Sequence, residues 1–94
     1  MSQTIETTTS VTVIHGAMLS FETIGDAESA PLRVREHHET LLRVIDGTLT
    51  LEIDGATRVL AIEGEARIEA GTPHRLSSPT GGEARIVQEF RRTR

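Results

Sequence analysis

Short alternations of apolar and polar positions run along the chain, and turn residues interrupt them every few positions. In the segment 48–53, TLTLEI, the two leucines and the isoleucine fall on one face, and the threonines and the glutamate fall on the other. That period of two is typical of a half-buried β-strand. Asp54-Gly55 follows and predicts a two-residue type I′ hairpin, because both central positions of that turn have positive φ.

The same pattern predicts the remaining elements, and no window of useful length shows a helical period. The predicted strands are one or two around Gly16 within 11–24, then 41–45, 48–53, 58–62, 66–68, 75–76 and 84–90. Loops are predicted at 25–31 and 77–82, where Gly, Ser, Asp and Pro gather. We therefore expect one all-β domain, a sandwich or barrel over 11–90. A flexible arm or swapped edge strand would precede it at 1–10, and a frayed charged tail would follow at 91–94.

The composition indicates which residue types form the core and which classes of partner are not expected. The 94 residues are 36% hydrophobic but only 2% aromatic, so the core must be aliphatic. The net charge is −4, and no basic patch is interleaved with aromatic residues, so nucleic acid is not expected as a partner. The absence of cysteine excludes disulfides and thiolate chemistry. No apolar run approaches the roughly 18 residues that span a bilayer, and no signal segment opens the chain, so we expect no membrane partner and a cytoplasmic location.

Two stretches resemble the motifs of a known family. LLRVIDGTLTLEIDG (41–55) is similar to the strand–Gly–strand hairpin of the cupins, and GEARIEAGTPHRL (64–76) is similar to the second cupin motif, which supplies one histidine. The segment 30–90 therefore resembles a single-domain cupin. The resemblance implies a jelly-roll β-barrel, a homodimer and a site in the barrel mouth that often holds a metal. Cupins include many kinds of enzyme, sugar-binding proteins and regulators, so the reaction stays open.

The metal pattern of the cupins falls on unusual residues in this chain. Counting back from the hairpin glycine places the expected His, His and Glu on Arg33, Arg35 and Thr40, and only His74 keeps a ligand type. A guanidinium cannot donate a lone pair to a cation. Two arginines separated by one residue share a face of a strand and suit a carboxylate, phosphate or enolate. The resemblance thus implies a metal-free pocket without a cofactor. There Arg33, Arg35, Thr40 and His74 would bind a small anionic or polar ligand, in a sensor or accessory protein.

A shifted register gives a metal-binding alternative. His37 and Glu39 share a strand face and, with His74, would form a set of two histidines and one carboxylate, suited to a divalent metal such as Fe, Mn, Ni or Zn. His38 with Glu36 and His74 is a further option. Adjacent residues on a regular strand point to opposite faces, so both histidines cannot enter without a bulge. Otherwise both histidines lie on a solvated loop rim.

An enzyme is a further alternative for the same residues. His74 could act as a general base in an isomerase or cyclase while Arg33 and Arg35 stabilise an enolate, or it could serve a dioxygenase-like reaction with the metal set. The purely structural interpretation places the two arginines on the surface, paired with Glu36 or Glu28. His74 would then be hydrogen-bonded within the barrel.

Overall fold

The computed structural model describes residues 9–14, 17–25, 30–79 and 82–93, and these form eight strands and no helix. In chain order the strands are β1 (Thr9–Ile14), β2 (Ala17–Ile24), β3 (His38–Asp46), β4 (Leu49–Ile53), β5 (Ala56–Leu60), β6 (Glu65–Ile68), β7 (His74–Ser77) and β8 (Ala84–Arg92). The all-β prediction is confirmed. Within these ranges there is no helix long and apolar enough to cross a lipid bilayer.

The strands form two antiparallel sheets that face each other across an aliphatic core. The larger sheet has the order β1-β2-β8-β3-β6 and the smaller one has the order β5-β4-β7. Within the described part of the chain, no strand pairing joins the two sheets into a closed barrel. The core cluster consists of Ile24, Leu42, Val44, Leu49, Leu51, Leu60, Ala66, Ile68, Leu76, Ala84 and Ile86. Every member is aliphatic, as the scarcity of aromatic residues requires.

Glycine occupies two turn positions for different reasons. Asp54 and Gly55 have φ of 52° and 77°, which confirms the type I′ turn between β4 and β5. Gly47 also has a positive φ of 77°, and a Cβ there would lie 2.2 Å from the carbonyl oxygen of Glu83. The turn after β3 therefore packs directly against the chain entering β8, and only glycine fits.

The long strands extend further than the alternation predicted. β3 begins at His38 and β8 reaches Arg92, because the two strands continue to pair through His38 with Arg92 and Glu39 with Arg91. The backbone N–H of Thr93 then donates to the carbonyl of His37 at 3.0 Å. Most of the charged tail is thus part of the sheet. At the other end, β1 begins at Thr9 and pairs with β2 of the same chain, while residues 1–8 of the predicted arm lie outside the described residues.

Candidate functional site

The segment that precedes β3 runs antiparallel to β7 and places two arginines beside a histidine. Arg33 N–H donates to the His74 carbonyl at 2.8 Å, and His74 N–H donates to the Arg33 carbonyl at 2.9 Å. Residues that exchange both hydrogen bonds present their side chains on the same side. Arg35 shares that side because it lies two residues further on, whereas Val34 between them is exposed. The structure therefore brings Arg33, Arg35 and His74 together.

The Arg33 side chain crosses from the smaller sheet to the larger one. Its Nη1 and Nη2 donate to Glu22 Oε1 and Oε2 at 2.7 and 2.5 Å, a bidentate ion pair. Gln88 Nε2 donates to the same Oε1 at 3.1 Å. The Glu22 side chain is only 7% exposed and that of Arg33 is 19% exposed. The ion pair between Glu22 on β2 and Arg33 beside β7 thus connects the two sheets. The positive charge of Arg33 is therefore already neutralised.

The Arg35 side chain crosses the same gap but meets an aromatic ring. Its Cζ lies 4.2 Å from the centroid of the Phe90 ring, which is within the range of a cation–π interaction. Phe90 is 5% exposed and faces inward from β8. Among the described residues, Arg35 forms no ion pair with a carboxylate, and its own side chain is exposed. It therefore presents an accessible positive charge beside Phe90, and the region formed by Arg35, Phe90, Thr40 and His74 is called the mouth below.

His74 is held in one tautomer with a free lone pair. It is 2% exposed, and its Nδ1 lies 3.0 Å from the carbonyl oxygen of Thr72. Because a carbonyl only accepts hydrogen bonds, Nδ1 carries the proton and Nε2 of the neutral ring keeps its lone pair. Burial lowers the pKa of His74, the hydrogen bond to Thr72 opposes that shift, and the positive charges of Arg33 and Arg35 lower the pKa further. Neutral imidazole is therefore the form present at neutral pH.

Thr40 lies on the inner wall of the same region. It is 1% exposed on β3, where its Cα pairs with Phe90 on one side and Ile68 on the other. Thr40 is therefore the cross-strand neighbour of the Phe90 residue on which Arg35 stacks.

The residues of the shifted register are not assembled with His74. Glu39 is adjacent to Thr40 and points to the outer face, where its carboxylate accepts from Arg67 Nη2 at 2.7 Å. His37 is exposed at a bend and His38 is half-buried at the start of β3. In the part of the chain that is described, no group of three or more His, Cys, Asp or Glu side chains is placed to hold a metal ion. The opposite facing of neighbouring strand residues is the physical reason.

Two residues of this cluster escaped the sequence reasoning. Glu22 follows Ser20 and precedes Ile24 on the inward face of β2, while Phe21 faces out. A carboxylate on an inward strand face needs a cationic partner, so the position of Glu22 was the feature of the sequence that could have predicted an ion pair. Gln88 is buried on β8 between the inward-facing Ile86 and Phe90, and its hydrogen bond to Glu22 was not predicted. The alternative pairing of Arg33 with Glu36 is wrong, since Glu22 is its partner; Glu28 lies outside the described residues.

Comparison with known proteins identifies the fold. No family model matches the chain, and no curated protein matches it either. Among solved structures, a cupin protein from Bacteroides fragilis superposes with a TM-score of 0.79 at 14% identity, over 99% of this chain and 82% of that one. The cupin domain of Schizosaccharomyces pombe Cnp3 gives a TM-score of 0.76 at 8% identity, over 93% of this chain and 60% of that one. The protein has the cupin fold.

Other neighbours show how broad this cupin fold is. Fe(II) HppE in complex with its substrate superposes with a TM-score of 0.76 at 13% identity, and 86% of this chain covers 51% of that protein. The chain thus spans about three-fifths of the Cnp3 chain and about half of HppE. Sequence identities this low indicate a shared fold but do not show a shared activity.

The residues at the cupin metal positions do not fit a divalent cation. The pattern expects two histidines and a carboxylate where this chain has Arg33, Arg35 and Thr40. Among these four residues, His74 Nε2 is the single nitrogen with a lone pair for a metal, and Thr40 adds only a neutral hydroxyl. Two guanidiniums share the side of His74 in the strand pair. The nearby carboxylate, Glu22, is occupied by Arg33 and Gln88. Cationic donors around a single imidazole favour an anion rather than a cation at this mouth.

Proposed function

We propose that the protein is a metal-free cupin that binds a small anionic or polar ligand at the mouth of the fold and acts as a sensor or accessory module. The proposal includes no cofactor. The observation that carries it is the placement of Arg35, an accessible guanidinium stacked on Phe90 and unpaired among the described residues. An aromatic ring beneath a guanidinium fixes its plane, so its N–H groups are oriented for a planar acceptor such as a carboxylate.

Two neighbours of Arg35 add polar recognition. Neutral His74 offers an acceptor at Nε2, so it favours a ligand that carries a hydroxyl or N–H group near its anionic end. Thr40 supplies a hydroxyl that both donates and accepts. The apolar wall includes Phe90 and Ile68, which suits the carbon skeleton of a small organic acid.

Thermal unfolding in the presence of small carboxylates tests this proposal, because a ligand that binds only the folded state raises the Tm. We expect at least one short hydroxy acid to raise the Tm of the wild type in a concentration-dependent way. Arg35→Met should abolish that shift. Arg58→Met is the matched control, since Arg58 is also an exposed arginine but lies on β5, away from the mouth. A shift that survives Arg35→Met, or that Arg58→Met removes equally, contradicts the proposed site.

A second candidate is an isomerase or cyclase that uses His74 as a general base. The lone pair on Nε2 of neutral His74 and the nearby cation of Arg35 favour it, since this pair suits proton removal next to a carbonyl and stabilisation of the resulting enolate. Exchange of the C3 protons of 2-oxo acids for deuterium in D₂O, followed by NMR, tests this without a known substrate. We expect His74→Asn to abolish any exchange above the buffer rate. No exchange by the wild type leaves only the binding function.

A homodimer and a cytoplasmic location complete the proposal. β1 lies at the edge of the larger sheet, so its outer side is available to a strand of a second copy. The outward face of that sheet also carries apolar side chains, including Phe21, which is 42% exposed. Sedimentation velocity should give a dimer, and a monomer at tens of micromolar protein would exclude it.

A further inference from the structure

The two guanidiniums at the mouth differ in whether a carboxylate of the protein neutralises their charge. Both Nη atoms of Arg33 donate to the carboxylate of Glu22, and Gln88 Nε2 also donates to its Oε1. Arg35 stacks on Phe90 and pairs with no carboxylate among the residues that the structure describes. A ligand therefore meets one cation that is already neutralised and one that is not.

The charges of the site can be counted from these contacts. Arg33 and Glu22 cancel, His74 is neutral, and Arg35 contributes one positive charge. A second anionic group on a ligand would find no free cation within this cluster. It would also lie near the carboxylate of Glu22, where a like charge in a poorly solvated interior is repelled.

Breaking the Arg33–Glu22 pair to serve a ligand is unfavourable. The Glu22 side chain is 7% exposed, so losing its guanidinium would leave a buried carboxylate with only the amide of Gln88. The ion pair is therefore a fixed part of the site.

We infer that Glu22 determines the charge class of the ligand, so that the mouth selects an organic acid with one carboxylate over dicarboxylates and phosphate. This inference rests on the proposed binding function and names the ligand class for it. Glu22 acts as a specificity-determining residue through Arg33, because it removes one of the two cations that the sequence places at the mouth.

A pair of ligands of nearly equal shape tests the inference on the wild-type protein. Monomethyl succinate carries one negative charge and succinate carries two, and inorganic phosphate serves as a third probe. Binding is followed by amide chemical-shift changes in NMR titrations. We expect monomethyl succinate to bind about tenfold more tightly than succinate, the factor that corresponds to one unmatched charged group. Phosphate should cause no shifts at the mouth.

Glu22→Gln should reverse this preference. The substitution keeps the size of the side chain and one acceptor oxygen, but it removes the negative charge that neutralises Arg33. Succinate affinity should rise about tenfold, since one further charge-assisted pair forms, while monomethyl succinate affinity changes little. Glu22→Asp is the control: it keeps the charge and should keep the wild-type preference.

The outcomes separate the inference from the function on which it rests. If neither succinate nor its monoester binds, nor any other mono- or dicarboxylate of similar size, the proposed function itself fails. If succinate binds the wild type as tightly as the monoester does, the site binds anions but the charge selection is wrong. If Glu22→Gln does not fold, the comparison of the two ligands on the wild type still decides whether the mouth selects one negative charge over two. Unchanged preference in a folded Glu22→Gln protein overturns the role of Glu22.

Discussion

Replacing Arg33 by methionine tests whether the ion pair to Glu22 holds the two sheets together. The substitution keeps most of the side-chain volume and removes both charge-assisted hydrogen bonds. The carboxylate of Glu22, 7% exposed, would keep a single hydrogen bond from Gln88. Removing one partner of a buried pair costs about 3–5 kcal/mol. The Arg33 side chain is 19% exposed, so the pair is partly solvated, and we expect the lower end of that range, about 3 kcal/mol.

The double substitution Glu22→Leu with Arg33→Met should recover most of that loss. Buried ion pairs replaced by apolar side chains of similar volume are often neutral or more stable. Glu22→Leu alone should cost about 1–2 kcal/mol, since the remaining guanidinium can turn toward solvent. With the double variant at most about 1 kcal/mol less stable than the wild type, the single losses of about 3 and about 1–2 kcal/mol give a coupling energy of about 3–5 kcal/mol between the two positions.

Urea unfolding followed by far-UV circular dichroism is the suitable assay, because the chain has no tryptophan or tyrosine for intrinsic fluorescence. A loss of 3 kcal/mol in a domain of this length also lowers the Tm by about 12–24 °C. Arg67→Met is the matched control. Its partner is Glu39, but the Arg67 side chain is 65% exposed, so the cost should stay below about 1 kcal/mol. If Arg33→Met costs no more than Arg67→Met, or if the double variant shows the sum of the single losses, the ion pair does not couple the sheets.

The remaining predictions concern one turn, one titration and one metal analysis. Gly47→Ala should prevent folding or destabilise the protein severely, because its Cβ would lie 2.2 Å from the Glu83 carbonyl oxygen; Gly55→Ala has the same φ of 77° but nothing within 4 Å, so it should cost only about 1 kcal/mol in urea unfolding. Because the pKa of His74 is lowered from 6.5, the unfolded chain binds that proton more readily, and stability should fall as the pH drops below about 6.5; His74→Asn, which can keep the hydrogen bond to Thr72, should have a shallower slope there, and equal slopes would refute the role of this histidine. Untagged protein loaded with Fe, Mn, Ni or Zn should retain less than about a tenth of a metal per chain on elemental analysis, since the described residues place one imidazole at the mouth and no group of three metal-ligating side chains; a stoichiometric metal would restore the cupin metal alternative.

The strands could be predicted from the sequence because the information lies in neighbouring residues. The alternation in TLTLEI and the Asp54-Gly55 turn fix the β4–β5 hairpin locally, and the structure agrees. The extension of β8 to Arg92 could not be predicted in this way. It depends on pairing with β3, about fifty residues earlier in the chain, and charged residues carry no apolar alternation that would mark it.

From the sequence, only the part of the site formed by the segment before β3 and by β7 could be predicted. Counting back from the glycine of the cupin motif grouped Arg33, Arg35 and His74, and the structure pairs Arg33 with His74. The binding role of the three residues stays a prediction. The partners of the two arginines lie on β2 and β8 of the other sheet, and no local pattern connects these strands to the segment before β3. Glu22 and Gln88 are polar residues on inward strand faces, but their contact with Arg33 and with each other is a property of the tertiary structure.

The exposure of the two arginines indicates which of them would bind the proposed ligand. Arginine at both ligand positions would bring two cations into the mouth, and a buried cation without a partner is strongly unfavourable. The deeper one, Arg33, reaches Glu22 across the gap and is neutralised, while Arg35 stays in contact with solvent and stacks on Phe90. Solvation lowers the free energy of Arg35 in the absence of a ligand, so this cation remains charged without a protein carboxylate. The residue that is least costly to leave unpaired is therefore also the one that an anion entering from solvent meets first.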